Sequence, residues 1–385
     1  MTTEPPRHLY VHAPFCARRC SYCDFAVTVA SDPPVAAWAA CVGRELGMVA
    51  RARGWGTLPL DTLYLGGGTP SLLGVGAVPR LLDALAGPGA GPGADAAGVV
   101  ELTAEANPES FTPELAADWV AAGVDRVSLG AQTFHGPSLR WMGRLHGPDG
   151  PGRAVAVARE AGVRNIGLDL IFGLPARLGR ELERDLDRIL ALEPEHISVY
   201  GLSVEPDTPL GRWVAEGRET PAEEGRYEAE YLTVARRLRE AGYRHYEVSN
   251  FALPGREARH NAAYWSGVPY LGLGNGAHSF VSPERWWNRR DWPAYRESVE
   301  SGERPLADRE RLDADALALE RIWLGLRTAE GLPASELGGA QRALAAEWQR
   351  SGLAEVDDRV RLTPEGWLLL DRLAVALDGA AGRAA

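Results

Sequence analysis

The sequence predicts an α/β fold in which strand–helix units are followed by a separate C-terminal domain. Short β-branched runs alternate with amphipathic helical stretches, as in a parallel sheet. Each strand–helix pair takes about 30 residues, which is the size of a βα step. The composition, 45% hydrophobic and 24% charged over 385 residues, is typical of a soluble globular protein. Six such units predict either an open sheet or an incomplete barrel.

The six units follow one another as far as Ala241. Their strands are predicted at His8–Ala13, Thr62–Leu65, Val99–Ala106, Val124–Gly130, Asn165–Phe172 and His196–Leu202. Their helices are predicted at Val35–Arg53, Val78–Ala86, Pro113–Ala122, Arg153–Glu160, Glu181–Leu192 and Glu223–Ala241. A Gly/Pro/Ala segment, Gly87–Gly98, is expected to be an exposed linker between the second helix and the third strand.

The pattern changes after the sixth unit. Aromatic-rich sequence that we expect to be irregular runs from Ala241 to about Tyr295, and helical sequence starts near Leu312. A hairpin followed by a capped helix is predicted from Val356. The last residues, from Ala380, are expected to fray. The C-terminal part of the chain is therefore expected to be a separate domain.

Charge and hydropathy exclude several classes of protein. The formal net charge is −11, from 52 acidic and 41 basic residues, so nucleic acid is not an expected partner. A long uncharged stretch, Thr62–Pro79, contains five glycines and two prolines, and we expect no transmembrane segment. The N-terminal residues have no apolar core of a signal peptide. We therefore expect a cytoplasmic protein.

Three of the four cysteines, Cys16, Cys20 and Cys23, lie within eight residues. In a reducing compartment such a cluster indicates metal binding. A structural zinc ion needs four ligands, and His12 could supply the fourth. An iron–sulfur cube with three cysteines keeps one iron open, which indicates chemistry rather than scaffolding. Cys41, on a predicted helix, is expected to be a buried core thiol.

Further candidate residues lie where predicted strands end. Three glycines in LYLGGGTPS follow the second strand, where glycine allows either a tight turn or a close approach to a ligand. The segment lacks the lysine of a P-loop. Polar residues and one glycine mark the ends of later strands, namely Glu105, Gln132, Asp169 and Gly201. In barrel folds the site is built at this edge.

The motifs CARRCSYC and GGGTPS resemble those of the radical S-adenosylmethionine (SAM) superfamily. Together with EANPES, LGAQTF, MGRLH, DLIFGLP, VYGLS and RHNAAYW, they resemble the branch related to oxygen-independent coproporphyrinogen III oxidase, and within it the haem chaperones. The resemblance covers nearly the whole chain. It implies an incomplete (β/α)6 barrel in residues 1–242 and an aromatic-rich connecting region in residues 243–300. Residues 301–385 would form a small, mostly helical, winged-helix-like domain similar to that of the oxidase.

The resemblance also implies a [4Fe–4S] cluster and SAM as cofactors. Cys16, Cys20 and Cys23 would ligate the cluster. The residues matching SAM-contacting positions are Tyr10, Tyr22, Gly67, Gly68, Thr69, Glu105, Gln132, Arg144, Asp169 and Gly201. Among these, Glu105 would bind the amino group and Asp169 a ribose hydroxyl. From the residues alone, Arg144 could also be a surface ion pair and Tyr22 a shield for the cluster.

Two functions within this branch remain open on the sequence. The oxidase pattern has a further cysteine two residues after the cluster motif, where this sequence has Phe25. The chaperone branch uses an HNxxYW motif to bind haem, and His260 begins the matching HNAAYW, with His278 as a competing haem ligand. The resemblance thus implies haem as a ligand and apo-haemoproteins, including membrane-bound respiratory enzymes, as acceptors. The alternative function is coproporphyrinogen oxidation, so whether the protein is an enzyme stays undecided.

Overall fold

A mixed sheet of twelve strands forms the main body of the protein. The computed structural model describes residues 4–87, 94–95 and 98–382. In chain order the strands of this sheet are His8–Ala13 (β1), Thr62–Gly67 (β2), Glu101–Ala106 (β3), Arg126–Gln132 (β4), Asn165–Phe172 (β5), His196–Gly201 (β6), Arg244–Glu247 (β7), Asn250–Ala252 (β8), Tyr270–Leu273 (β9), His278–Val281 (β10), Glu284–Asn288 (β11) and Leu306–Arg311 (β12).

The first six strands form a parallel ladder in which chain neighbours are also sheet neighbours. The order across the sheet is β7-β8-β6-β5-β4-β3-β2-β1-β9-β10-β11-β12. β9 adds to β1 in parallel, whereas β7, β8 and β10 to β12 join through antiparallel pairs. No ladder between the described strands connects β6 back to β1. The incomplete (β/α)6 barrel is therefore confirmed.

Helices follow the barrel strands and make up most of the C-terminal domain. They are Val35–Arg53 (α1), Ala77–Ala86 (α2), Pro113–Ala121 (α3), Gly136–Met142 (α4), Gly150–Ala161 (α5), Leu182–Leu190 (α6), Pro209–Ala215 (α7), Glu224–Glu240 (α8), Arg259–Trp265 (α9), Trp292–Glu300 (α10), Ala314–Leu326 (α11), Gly339–Arg350 (α12), Pro364–Trp367 (α13) and Leu370–Gly379 (α14). Helix α3 begins as the sequence requires, with Pro113 at its first position and the Thr112 hydroxyl accepting from the Leu115 N–H at 3.2 Å. Within the described ranges no helix is long and apolar enough to span a membrane.

The face of the barrel strands that packs against the helices is buried, as expected for parallel strands covered by helices. In β1 and β2 the residues Leu9, Val11, Leu63 and Leu65 are at most 1% exposed. Trp38 of α1 is also fully buried, and its indole N–H donates to the His12 carbonyl at 2.9 Å. Burying each such side chain contributes roughly 1.5–3 kcal/mol. This packing fixes β1, and with it the start of the cysteine loop.

The C-terminal domain contains α11 to α14 and a small antiparallel sheet. The sheet consists of Leu332–Pro333 (β13), Ala354–Val356 (β14) and Arg359–Leu362 (β15) in the order β13-β15-β14. The domain is tied to the barrel by an ion pair between Arg327 and the buried Glu247 at 2.9 Å. A mostly helical domain with a hairpin is thus confirmed, and β14–β15 is the hairpin that the sequence predicts at Val356.

The structure corrects the description of the segment after α8. Residues expected to be irregular between Ala241 and Tyr295 instead form β7 to β11, α9 and the start of α10. These strands have only three to five residues, so the sequence gives little sign of them. Pairing with the barrel edges is what makes these segments strands. The short helices α4 and α7 also lie in stretches where the sequence predicts none. Of the expected linker and tail, residues 88–93, 96–97 and 383–385 lie outside the described ranges.

Candidate cofactor site

A cavity of about 790 Å³ lies at the carboxyl ends of the parallel strands, the edge at which barrel folds build their sites. It is lined by three cysteines, a glycine-rich turn and the polar ends of four strands. The motif residues that line it are Cys16, Cys20, Tyr22, Cys23, Gly67, Gly68, Thr69, Glu105, Gln132, Arg144, Asp169 and Gly201. The structure thus brings together every residue predicted for the cluster and SAM except Tyr10.

The loop that carries the three cysteines is anchored to its surroundings at Cys16 and at Ser21. The Thr69 hydroxyl donates to the Cys16 Sγ at 3.3 Å. The Ser21 backbone N–H donates to the Met142 carbonyl at 3.0 Å. The Cys23 N–H turns back to the Cys20 carbonyl at 3.4 Å. These bonds keep all three thiols at the wall of the cavity.

Burial makes the thiols of Cys16 and Cys23 weak acids. It raises the pKa of Cys16 to about 11, against the opposing hydrogen bond from Thr69. Burial also raises the pKa of Cys23. These two thiols are therefore neutral near pH 7, and a metal must displace their protons on binding.

The donor set fits a cluster better than a single ion. Throughout the described ranges, no three His, Cys, Asp or Glu side chains converge closely enough to hold one metal ion. The other cysteine, Cys41, is 1% exposed on α1 and lies away from the cavity. His12 is not available as a fourth ligand because its ring nitrogens contact the Tyr10 hydroxyl at 2.9 Å and the Ala26 carbonyl at 3.0 Å. Three thiols at one wall match an iron–sulfur cube with an open iron.

The glycine-rich turn after β2 packs against the start of the cysteine loop. Gly67 has a φ of 105°, which an L side chain rarely adopts. The Gly68 N–H donates to the Ala13 carbonyl at 2.8 Å, and a Cβ on Gly68 would lie 2.6 Å from that oxygen. The Thr69 N–H donates to the Phe15 carbonyl at 2.8 Å. The turn is therefore both a close backbone packing and a wall of the cavity.

Glu105 sits near the end of β3 and points into the cavity. Its two oxygens accept from the Tyr64 hydroxyl at 2.7 Å and the Gly67 N–H at 2.9 Å. Burial raises the pKa of this carboxyl to about 7 despite those hydrogen bonds. A cationic or amino group placed beside Glu105 would favour the ionised form. The position suits a ligand with an amino group.

Asp169 lies two strands away on β5. It accepts from the Ser128 hydroxyl at 3.1 Å, and burial raises its pKa. Below it lies Arg126, which is 1% exposed, and its Nε and Nη1 have no hydrogen-bond partner among the described residues. Its positive charge opposes the rise in the Asp169 pKa. Ser128 and Arg126 are site residues that the sequence analysis missed, although a charged residue inside RVSLGAQ was a usable signal.

Arg144 lies above the cysteine loop rather than on the surface. Its Nη2 donates to the Asn107 Oδ1 and to the Gly130 carbonyl, both at 2.7 Å, and its Nη1 lies 3.9 Å from the Cys20 Sγ. Asn107 in turn donates to the Thr69 hydroxyl at 3.1 Å. The guanidinium is therefore fixed between the thiols and the strand ends, where it can contact an anionic ligand group.

Three other residues that were predicted to contact SAM are Gln132, Tyr22 and Gly201. Gln132 ends β4 with a φ of 64°, which is uncommon for a residue other than glycine. The Tyr22 ring packs on the small apolar cluster of Met142, Ile171 and Leu174. The strand-end Gly201 is packed so closely against the Tyr227 ring that a Cβ would collide with it. All three border the cavity, and packing already explains part of the geometry at Tyr22 and Gly201.

A second cavity, of about 1000 Å³, lies beyond β1. Tyr10 and His12 line this cavity, and the Tyr10 ring lies 6.0 Å from that of Tyr64, a residue of the first cavity. Asp24 and Phe25 line both cavities. The prediction that Tyr10 contacts SAM therefore receives no support from its placement.

His260, the predicted haem ligand, lies on α9 and its side chain is buried. It is 1% exposed and lines neither cavity. Its Nδ1 is 2.7 Å from the Thr62 hydroxyl oxygen, and its Nε2 is 2.9 Å from the Tyr264 hydroxyl oxygen. Burial lowers its pKa to about 3. Since both ring nitrogens are occupied, these surroundings do not support His260 as a ligand of haem iron.

Comparison with known proteins agrees with this geometry. Residues 10–189 match the family model of the radical SAM superfamily, and residues 312–369 match that of the HemN C-terminal domain. The fold is similar to the crystal structure of coproporphyrinogen III oxidase (HemN) from Escherichia coli, a radical SAM enzyme. That likeness has a TM-score of 0.78 and 23% sequence identity, and it covers 97% of this chain and 90% of the other.

Sequence similarity to curated proteins is stronger. The chain is 39% identical over 386 residues to a Mycobacterium tuberculosis protein named heme chaperone HemW, covering 97% of this chain and 95% of that protein. It is 34% identical over 324 residues to the protein of the same name from Bacillus subtilis, covering 84% of each. Two relatives of this similarity, each aligned over most of its length, establish the relationship. The chain belongs to the HemW family of the radical SAM superfamily.

Proposed function

We propose that this protein is a haem chaperone, which holds a [4Fe–4S] cluster and SAM in the first cavity, binds haem and delivers it to apo-haemoproteins. The observation that carries the proposal is the convergence of three cysteine thiols with Glu105 and Asp169 in one cavity. The curated relatives named heme chaperone HemW support the haem-delivery part. The cytoplasm is the proposed location.

The three thiols are the proposed ligands of the cluster. Each of Cys16, Cys20 and Cys23 gives up its proton and ligates through Sγ. The Arg144 guanidinium, 3.9 Å from the Cys20 Sγ, offsets part of the negative charge that three thiolates add to a buried wall. With three protein ligands, one iron of a four-iron cluster stays open for SAM.

The remaining wall offers one complementary group for each polar part of SAM. Glu105 accepts from the amino group, Arg144 donates to the carboxylate and Asp169 accepts from a ribose hydroxyl. The backbone of Gly67 and Gly68 lets the methionine part lie close to the turn. Bound together, the cluster and SAM supply one-electron redox chemistry, while the protein supplies their placement.

Reconstitution tests the cluster assignment. The wild-type protein, treated anaerobically with iron and sulfide, should hold about four irons and four sulfides and show charge-transfer absorption. Cys20→Ala should lose both because one of three ligands is gone. The matched control, Cys41→Ala, should keep them. Retention of a complete cluster in Cys20→Ala, or binding of stoichiometric zinc without charge-transfer absorption, would contradict the assignment.

A second assay separates the chaperone from the oxidase. The reconstituted protein with SAM and reductant should leave coproporphyrinogen III unchanged, since Phe25 stands where the oxidase pattern has its further cysteine. Steady formation of protoporphyrinogen IX, even at about 0.01 per second against the usual 1–10³ per second of enzymes, would assign the protein to the oxidase instead.

A further inference from the structure

Tyr64 of β2 is a partly buried side chain to which the proposed function gives no role. Its ring lines the first cavity, and its hydroxyl donates to the Glu105 Oε1 at 2.7 Å. The other carboxylate oxygen, Oε2, accepts from the Gly67 backbone N–H at 2.9 Å. Each oxygen of Glu105 therefore has one donor within the protein and a lone pair left for a ligand.

The contact between Tyr64 and Glu105 depends on a glycine of the same strand. A Cβ on Gly66 would lie 2.7 Å from the Tyr64 Cε1 and 2.8 Å from the Glu105 Oε1. Any side chain at position 66 would therefore press on both the ring and the carboxylate. Gly66 is not among the residues with a positive φ, so glycine is required here by this close approach and not by the backbone conformation.

Neighbouring rings hold the Tyr64 ring in place. The His260 ring of α9 packs on it with ring centroids 5.2 Å apart, and the Tyr10 ring of β1 lies at 6.0 Å. The His260 ring is itself fixed, since its Nδ1 is 2.7 Å from the Thr62 hydroxyl oxygen. Packing against two rings restrains Tyr64, so its hydroxyl stays directed at Glu105.

Two charged side chains with opposite effects face the Glu105 carboxylate. Arg126 of β4 favours the ionised form of this carboxyl, whereas Asp169 of β5 opposes it. The other titratable groups that face it are tyrosine hydroxyls from β1, β2, β6 and α9, namely Tyr10, Tyr64, Tyr200 and Tyr264. Burial raises the pKa of each of these hydroxyls above its ordinary value, so all four are neutral near pH 7.

Hydrogen bonds oppose the effect of burial on Glu105. Burial raises the pKa of this carboxyl to about 7, and the bonds from the Tyr64 hydroxyl and the Gly67 N–H limit that rise. A donor to a buried carboxylate favours its charged form over its protonated form. Of these two donors, only the Tyr64 hydroxyl can be removed by substituting a side chain.

We propose that Tyr64 is a positioning residue of the SAM site, whose hydroxyl holds the Glu105 carboxylate in the charged form that accepts from the amino group of SAM. The inference rests on the proposed function, because it presupposes that this amino group lies at Glu105. Without the hydroxyl, the pKa of Glu105 would rise further, and a higher pH would be needed to ionise the carboxyl. Tyr64 thereby sets the lower pH limit of SAM binding.

The test is calorimetric titration of SAM into anaerobically reconstituted wild type and Tyr64→Phe between pH 6 and pH 9. The substitution removes one oxygen atom and keeps the ring, so cluster content should stay unchanged. Loss of one hydrogen bond to a charged group should raise the midpoint of the pH profile by about one unit. SAM affinity should then be roughly fivefold lower than in the wild type at pH 7 and within about twofold of it at pH 9.

Tyr243→Phe is the matched control. The Tyr243 hydroxyl donates to the Pro194 carbonyl at 2.6 Å, and Tyr243 lines neither cavity, so this variant should keep the wild-type pH profile. In a Glu105→Gln background, Tyr64→Phe should cause no further pH-dependent loss, because no carboxyl remains there to ionise.

Three results would overturn the role of Tyr64. They are an unchanged midpoint in Tyr64→Phe, a loss of SAM affinity that is equal at every pH, and a pH-dependent loss that persists in the Glu105→Gln background. A merely structural effect of the substitution would give the second result. If the wild type with a complete cluster binds no SAM at any pH, the proposed function itself fails, and this inference fails with it.

Discussion

Glu105 is a residue at which burial sets the pH range of ligand binding. Burial raises its pKa to about 7, so the carboxyl is largely protonated at pH 6 and ionised at pH 8. The ionised form accepts an amino group's hydrogen bonds better. We therefore expect the affinity for SAM to fall by roughly tenfold from pH 8 to pH 6. Glu105→Gln should bind SAM weakly and lose that part of the pH dependence, as calorimetry at several pH values would measure. An identical pH profile in Glu105→Gln would contradict the role of this carboxyl.

A substitution at Asp169 tests whether this carboxylate binds the ribose of SAM in the same cavity. Asp169→Ala removes the carboxylate and with it the acceptor for a ribose hydroxyl. The hydrogen bond to a ribose hydroxyl is worth roughly 1.5–3 kcal/mol, so SAM affinity should fall about ten- to hundredfold. Cluster content should not change, since Asp169 contacts no cysteine. Unaltered SAM affinity in a variant with a complete cluster would show that Asp169 is wrongly assigned.

For single residues, the sequence predicted the chemical role of a side chain better than it predicted how deeply that side chain is buried. Glu105 and Asp169 were identifiable because a carboxylate at the end of an apolar strand is costly without a partner. Arg126 was missed although it too lies inside a strand, because only the fold reveals that its side chain points under the cavity. The burial of His260 could not be predicted either, because the motif does not show which residues pack around the imidazole ring.

Among the elements, the turn after β2 is the one on which the cysteine loop most depends. A Cβ on Gly68 would lie 2.6 Å from the Ala13 carbonyl oxygen, and neither backbone can move without disturbing β1. Gly68→Ala should therefore lower the free energy of unfolding by about 1–3 kcal/mol and reduce cluster content. Denaturant unfolding and iron analysis measure the two effects.

Gly56 offers a matched control for that substitution. A Cβ there meets no atom within 4 Å, so Gly56→Ala should change stability by no more than about 0.5 kcal/mol. Equal stability of Gly68→Ala and Gly56→Ala would show that the close packing at Gly68 is not needed.

The sequence predicted elements well where a unit is long and periodic. The bounds of α1 and β5 agree with prediction, because a 19-residue amphipathic helix and an eight-residue apolar strand carry strong signals. Strands β7 to β11 were missed because each has five residues or fewer. Such segments are strands only through pairing with the barrel edge, which is a tertiary effect.

At the scale of the whole molecule, the described chain holds two adjoining cavities. The first cavity collects residues from five strand ends, and this was predictable because parallel strands bring their carboxyl ends to one edge. The second cavity was not predictable, since it forms only where α11 and α14 pack beside the barrel edge. Asp24 and Phe25 line both cavities, so the second cavity adjoins the first directly after the cysteine loop.

The most direct test of the central claim is a haemin titration of the anaerobically reconstituted wild-type protein. We expect a Soret difference spectrum that saturates near one haem per chain, with a Kd of about 1 μM or below. Saturation at one haem per chain indicates a single specific site. An absorbance that rises linearly without saturation, as for haem partitioning onto any apolar surface, would contradict the assignment of this protein as a haem chaperone.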